Sequence, residues 1–188
     1  MRILSYLMLT VLLAFIAVSL IAPGFTSAQE VKKDEAAFKY VGVALCKPCH
    51  QTEAQGKIYA TWEASAHAKA FEKLGAANQA NEKCLGCHTT GHGKALAAGK
   101  TAEAVRGVQC EACHGPGSDY KAMAVMKNKV DALKKGVVEP NEKTCAGCHT
   151  AEIPKECWGA ATAAPKFEFA AALKKIEHHI PKAPAPAK

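Results

Sequence analysis

The chain has 188 residues, with 24 Lys and Arg against 17 Asp and Glu, a formal net charge of +7 and nine cysteines. That length suits one domain behind a short leader. From Gln29 onward only 23 of 160 residues, or 14%, are Leu, Ile, Val or Phe, which excludes an ordinary aliphatic core unless a bound group supplies the missing apolar surface.

Arg2 precedes an apolar run from Ile3 to Ala22, then Pro23, Gly24 and the small residues Thr26-Ser27-Ala28. A basic start, an apolar centre and a small-residue exit predict an export signal over residues 1–28, cut after Ala28. Left uncut, residues 3–22 are just long enough to anchor the chain in a bilayer. Either way the remainder faces an oxidising, periplasmic or otherwise extracytoplasmic space. Residues 29–45 are charged, lack a clear period and read as an N-terminal arm.

Lys57 to Leu74, rich in Ala, Glu and Lys, predicts a helix ended by Gly75, with His67, Phe71 and Leu74 on one face. His88 to Lys100 reads as loop. Gly115-Pro116-Gly117 makes a turn, after which Ser118 or Asp119 is placed to cap a helix from Tyr120 to about Lys135. A last helix from Phe167 to Ile180 carries the stripe Phe169, Leu173, Ile176 and Ile180, stops at Pro181, and leaves residues 181–188 as a disordered tail. With no strand or hairpin signal, the expected fold is mainly α and loop-rich, with little or no sheet, in one domain over residues 46–180.

One motif recurs four times: Cys46-Lys47-Pro48-Cys49-His50, Cys84-Leu85-Gly86-Cys87-His88, Cys110-Glu111-Ala112-Cys113-His114 and Cys145-Ala146-Gly147-Cys148-His149. This is the attachment pattern of c-type haem. Two thiols three residues apart reach the two vinyl groups on one porphyrin edge, and the following His sits under the iron as proximal ligand. Zinc sites and redox disulfides also use paired cysteines, but neither requires a His directly after the second one. Four c-type haems would also provide the apolar bodies that the core lacks. Removal of Arg2 leaves 23 basic against 17 acidic residues. Four haems with ionised propionates then bring the net charge to about +2 oxidised and about −2 reduced, so the strong basic field that a nucleic-acid partner needs is gone.

Eight histidines less four proximal ones leave His67, His92, His178 and His179, one for each sixth iron position. His67 shares its predicted face with Phe71 and Leu74, which suits a porphyrin. His178 and His179 lie ~100° apart on a helix, so both do not serve one iron, and the wheel puts His179 nearer the apolar stripe. His92 follows proximal His88 too closely to wrap the same haem, so it is either a ligand to a neighbouring haem or an ordinary loop histidine. Met is the other common axial ligand. Met123 and Met126 follow the third motif, and core filling is their competing role. Cys157 is the ninth cysteine; with eight thioethers it has no partner within the chain and reads as buried and inert.

Together these residues resemble the tetrahaem cytochrome c-554 family. The likeness is carried by the run Trp62 to Ala70, by the second motif continuing into Thr89-Thr90-Gly91-His92-Gly93, and by Gly107-Val108 through Cys113-His114-Gly115-Pro116-Gly117. Trp158-Gly159-Ala160 and the segment from Phe167 to His178 add to it. The resemblance implies that His67 is the distal ligand of the third haem and that a His of the last helix serves the fourth, in a register that favours His178 over His179. It also implies an open or weakly filled sixth site on the second haem. The first haem of the family takes a His soon after the Gly-Pro-Gly turn. None stands there in this chain, which leaves Met126 or His92 for that position.

The expected function is electron transfer between redox proteins through closely packed haems, with donor and acceptor unnamed by any residue. Two other readings stay open. One is a haem enzyme whose open-site iron acts on a small ligand such as nitric oxide or peroxide. The other is a membrane-anchored, quinol-oxidising tetrahaem subunit, which needs residues 3–22 retained.

Overall fold

A computed structural model describes residues 38–150, 152–157 and 166–181. The expected export signal, the arm up to residue 37, residues 158–160 and the tail from 182 lie outside the described residues. All described residues fall in one compact unit, Glu35–Lys188. Among them are eight short α-helices: α1 Lys47–His50, α2 Ile58–Glu63, α3 Glu82–His88, α4 Cys110–His114, α5 Met123–Met126, α6 Lys129–Lys134, α7 Glu142–Ala146 and α8 Phe169–Ile176. Extended pairing among the described residues is limited to two isolated bridges, Tyr40 with Leu96 and Thr89 with Arg106. The fold is therefore mainly α and loop-rich. No described helix is long and apolar enough to cross a membrane.

Helices this short do not stand alone in water, and three asparagines start three of them. Asn81 accepts from the Lys83 N–H, Asn128 from the Val130 and Asp131 N–H groups, and Asn141 forms a reciprocal capping box with Thr144.

The long helices expected from the sequence are cut into pieces. The helix over 57–74 ends at Glu63, and a 3₁₀ turn, Phe71–Lys73, replaces its last part. Past Glu63 the Ser65 N–H bonds to Trp62 O and the Ala68 N–H to Ser65 Oγ, while His67 O and Ala70 O, beside their local turn bonds, also accept from the Val108 N–H at 2.9 Å and the His88 ring at 2.6 Å. The helix over 120–135 is two, α5 and α6, because Asn128 caps a new helix instead of continuing the old one. The last helix stops at Ile176, and Glu177 turns into extended backbone.

The apolar core is as thin as composition demands. Val41, Phe71, Leu74, Val105, Tyr120 and Ala132 are buried, with Cys84 and Cys157 beside Leu74. Between them lies a buried polar knot of Thr90, Gln109 and Glu111. Thr90 Oγ1 donates to Gly107 O and accepts from the Gln109 N–H, both at 2.8 Å. Gln109 accepts from the Val43 N–H and donates to Ala104 O and Arg106 O. Gly107, at φ +81°, lets this hub press against the His67 run, since a Cβ there would stand 2.7 Å from Ala68 O. The Trp62 indole N–H donates to Val108 O at 2.8 Å and closes the same junction. Residues 38–45, expected as part of an arm, are threaded into this core: Tyr40 exchanges backbone hydrogen bonds with Ala95 and Ala97, and Val41 is 2% exposed.

Candidate functional site

Each motif presents its sulfurs and imidazole on one side of a single turn. The His50 N–H donates to Cys46 O at 3.1 Å and the His149 N–H to Cys145 O at 2.9 Å, and α3 and α4 contain the second and third motifs whole. At 3.6 residues per turn, positions i, i+3 and i+4 share a face.

The sulfurs bring the motifs together. Cys46 lies against Cys110, a neighbour that, with burial second, pushes the Cys46 thiol pKa up. Cys148 lies against Cys87, and burial followed by that neighbour pushes its thiol up to about 12. Cys113 is raised by burial first and by Cys145 second. The first motif thus sits beside the third, the second beside the fourth, and the third and fourth are linked.

The imidazoles are prepared in a consistent way. His88 Nδ1 meets Ala70 O at 2.6 Å, His114 Nδ1 meets Val138 O at 3.3 Å and His178 Nδ1 meets Ile176 O at 2.9 Å. A carbonyl at Nδ1 holds the proton there and leaves Nε2 bare for a metal. His50 Nδ1 is buried without a hydrogen-bond partner among the described residues. Burial lowers the pKa of His50, His67, His114 and His149, with His178 adding to the effect on His50 and His149 to that on His67. At His114 the Val138 carbonyl opposes burial. These rings are therefore kept neutral, the form that ligates.

Two ring pairs have the separation of axial ligands. His67 faces His149 and His114 faces His178, each with centroids 6.0 Å apart. Two imidazoles bonded to one metal at about 2 Å each, plus the ring radius on both sides, place their centroids roughly 6 Å apart. The partners are exchanged relative to those implied by the resemblance: His67 faces the fourth motif and His178 the third. Phe167 stacks on His149 at 4.4 Å.

A cleft of about 340 Å³ runs between the first and third motifs, with His50, His114, Met126 and His178 on its walls beside Ile176 and Ile180. The wheel that favoured His179 does not apply, because His178 and His179 lie beyond α8 on extended chain. There the period is two, so Ile176, His178 and Ile180 turn to the cleft together. The His179 carbonyl instead packs on Gly56. Met123 is 61% exposed. His92 turns to the surface, with Nε2 at 2.6 Å from Glu82 Oε2.

One cysteine departs from expectation. Cys157 has a partner within the chain after all, a disulfide to Cys84 of the second motif. Both sit in the cluster with Leu74, packed by Leu85 and Ile153, so burial was foreseen and the bond was not. The buried polar residues Thr90, Gln109 and Glu111 also escaped sequence reasoning, because nothing in spacing or periodicity marks a polar side chain that folds inward to hold backbone.

Among the described residues no three His, Cys, Asp or Glu side chains converge on one point, unlike a closed zinc site with four protein ligands. Paired imidazoles at axial distance, Nδ1–carbonyl contacts at His88, His114 and His178, facing thiols and an apolar cleft fit haem.

The family described as cytochrome c554 and c-prime matches residues 45–115, which hold the first three motifs. Cytochrome c-554 of Nitrosomonas europaea is 32% identical over 155 residues, covering 66% of this chain and 62% of that protein. The chain therefore spans less than two thirds of the length of this relative. A solved structure of the reduced state of cytochrome c554 from Nitrosomonas europaea is similar, with a TM-score of 0.49 and 27% identity over 73% of this chain and 78% of the other.

Proposed function

We propose, from its similarity to cytochrome c554, that this chain belongs to that family and is an exported electron carrier holding four c-type haems. The observation that carries this reading is the pair of facing imidazole couples, each joining a motif histidine to a histidine from a distant segment at 6.0 Å. Haem supplies a one-electron couple that reverses without bond making at the protein. The chain supplies the rest. Cys46, Cys49, Cys84, Cys87, Cys110, Cys113, Cys145 and Cys148 would hold the haems by thioether bonds, and His50, His88, His114 and His149 would supply an imidazole to each iron. Backbone carbonyls at Ala70 and Val138 orient two of these rings. His67 would serve the fourth haem and His178 the third, His179 and His92 would stay outside the ligand set, and Met126 lines the cleft with His50, as His67, His114 and His178 do.

Thioether formation at the second motif needs Cys84 as a thiol, so the bond to Cys157 would first have to be opened by a two-electron thiol reductant, which leaves Cys157 as a free thiol. The neighbouring sulfurs support haems that would lie as pairs, first with third and second with fourth, with the third and fourth linked. That is a continuous path for electrons between a donor and an acceptor, both redox proteins of the space beyond the inner membrane. The export signal over residues 1–28 and the tail over 181–188 complete this reading.

The test is the purified full chain, matured in a host able to attach haem. Mass and a haem-to-protein ratio of four with two thioethers per haem are expected, with low-spin signals in cryogenic EPR. A colourless protein at the bare polypeptide mass would overturn the proposal. One observation favours a second reading: among the described residues no second imidazole stands against His88. A high-spin ferric signal that disappears on adding nitric oxide, whose ferric haem adduct is EPR-silent, would assign small-ligand binding to that haem.

A further inference from the structure

Glu111 occupies the first variable position of the third motif, yet it is 1% exposed. Its carboxylate collects three backbone donors from two separate stretches of chain. The Val41 N–H reaches Oε1 at 2.9 Å and Oε2 at 3.1 Å, the Gly42 N–H reaches Oε2 at 2.7 Å, and the Gly117 N–H reaches Oε1 at 2.6 Å. Both oxygens only accept, which suits the ionised form, since a protonated carboxyl would aim an O–H at a donor. Space is reserved for it: a Cβ at Gly117 would lie 3.0 Å from Oε1. Among the described residues no Lys, Arg or His pairs with it.

We propose that Glu111 is a positioning residue for electron transfer, clasping the first haem motif to the third and holding the reduction potentials of those two haems low through its fixed negative charge. The clasp follows from the donors: Val41 and Gly42 lead directly into the first motif, and Gly117 leaves the third. The charge follows from the surroundings. Its field already reaches the chemistry: Glu111 contributes to raising Cys46 and the Tyr120 phenol, and at Cys110, whose thiol is lowered chiefly by its contact with Cys46, it acts in the opposite, raising direction. Cys46 and Cys110 are the sulfurs on which the first and third haems attach. Reduction adds one negative charge to a haem, and a nearby buried anion opposes it with little screening by salt. The ferric state is favoured, and the potential falls.

This inference rests on the haem reading, and the experiment separates the two. Holoprotein carrying Glu111→Gln and holoprotein carrying Glu111→Asp are titrated potentiometrically at neutral pH, with each haem followed by its own EPR signal. Haem is counted first: an unmodified chain without haem refutes the haem reading and is not a result about Glu111. With four haems attached, the Gln variant is expected to shift two potentials upward and leave two in place, and the Asp variant, which keeps the charge, to return most of the shift. Unchanged potentials in the Gln variant, or equal shifts in both variants, would overturn the proposal, the latter by assigning the effect to loosened packing. If neither variant matures, the unmodified protein labelled with ¹³C-glutamate is read by reduced-minus-oxidised infrared spectroscopy. An ionised carboxylate band that moves on haem reduction and is insensitive to D₂O supports the inference. A protonated carboxyl band in its place overturns it.

Discussion

If haem binds as proposed, His67 and His178 would each supply the sixth ligand of one iron, opposite His149 and His114. His67→Ala and His178→Ala are each expected to convert one low-spin haem to high-spin in cryogenic EPR, with all four haems still attached. His179→Ala should leave the spectrum unchanged, because that residue packs its backbone on Gly56 outside the cleft. Tyr120 gives a prediction in pH. Its hydroxyl donates to Gly115 O at 2.7 Å in a site where burial, followed by the charge of Glu111, holds the phenol well above its ordinary value. The unfolded chain ionises its tyrosines at about pH 10, while folded Tyr120 keeps its proton. Its contribution is thus fully present below that pH and is lost as pH rises beyond it. Denaturant unfolding should therefore show stability falling above about pH 10. Tyr120→Phe should flatten that fall and cost about 1 kcal/mol at neutral pH for the lost hydrogen bond.

Among the elements, the capping asparagines are the cheapest to test. Asn141 starts α7, which delivers the fourth motif. Asn141→Ala should cost about 1 kcal/mol in denaturant unfolding while the haem count stays at four. The helices also mark where sequence reasoning stops. The four motifs, the thin apolar core and the helical class were legible, because each rests on residue types at fixed spacing. Helix lengths were not. The run from Lys57 to Leu74 has helical composition throughout, yet the carbonyls of His67 and Ala70 are shared with Val108 and His88. Those bonds join residues 41 and 18 positions apart, beyond the reach of any local pattern. The same reason hid the choice between His178 and His179: one turn less of α8 changes the period from 3.6 to two and moves the side that faces inward.

For the whole molecule, porphyrin is expected to take the place that aliphatic side chains hold elsewhere. Cys110→Ser should lower attachment at the third motif and broaden thermal unfolding followed by circular dichroism, and a chain made without haem attachment should show no cooperative transition at all. A sharp melt of haem-free protein would contradict this. The clasp at Glu111 has a bearing of another kind. Every group it holds is a main-chain N–H, from Val41, Gly42 and Gly117. Side chains along the incoming strand of chain can therefore drift over generations without disturbing it, so long as the backbone keeps its path. Substitution should be tolerated at Val41 for any residue of similar bulk and resisted at position 111 and at the two glycines. Seen this way, the junction between the first and third motifs is encoded by very few letters of the sequence.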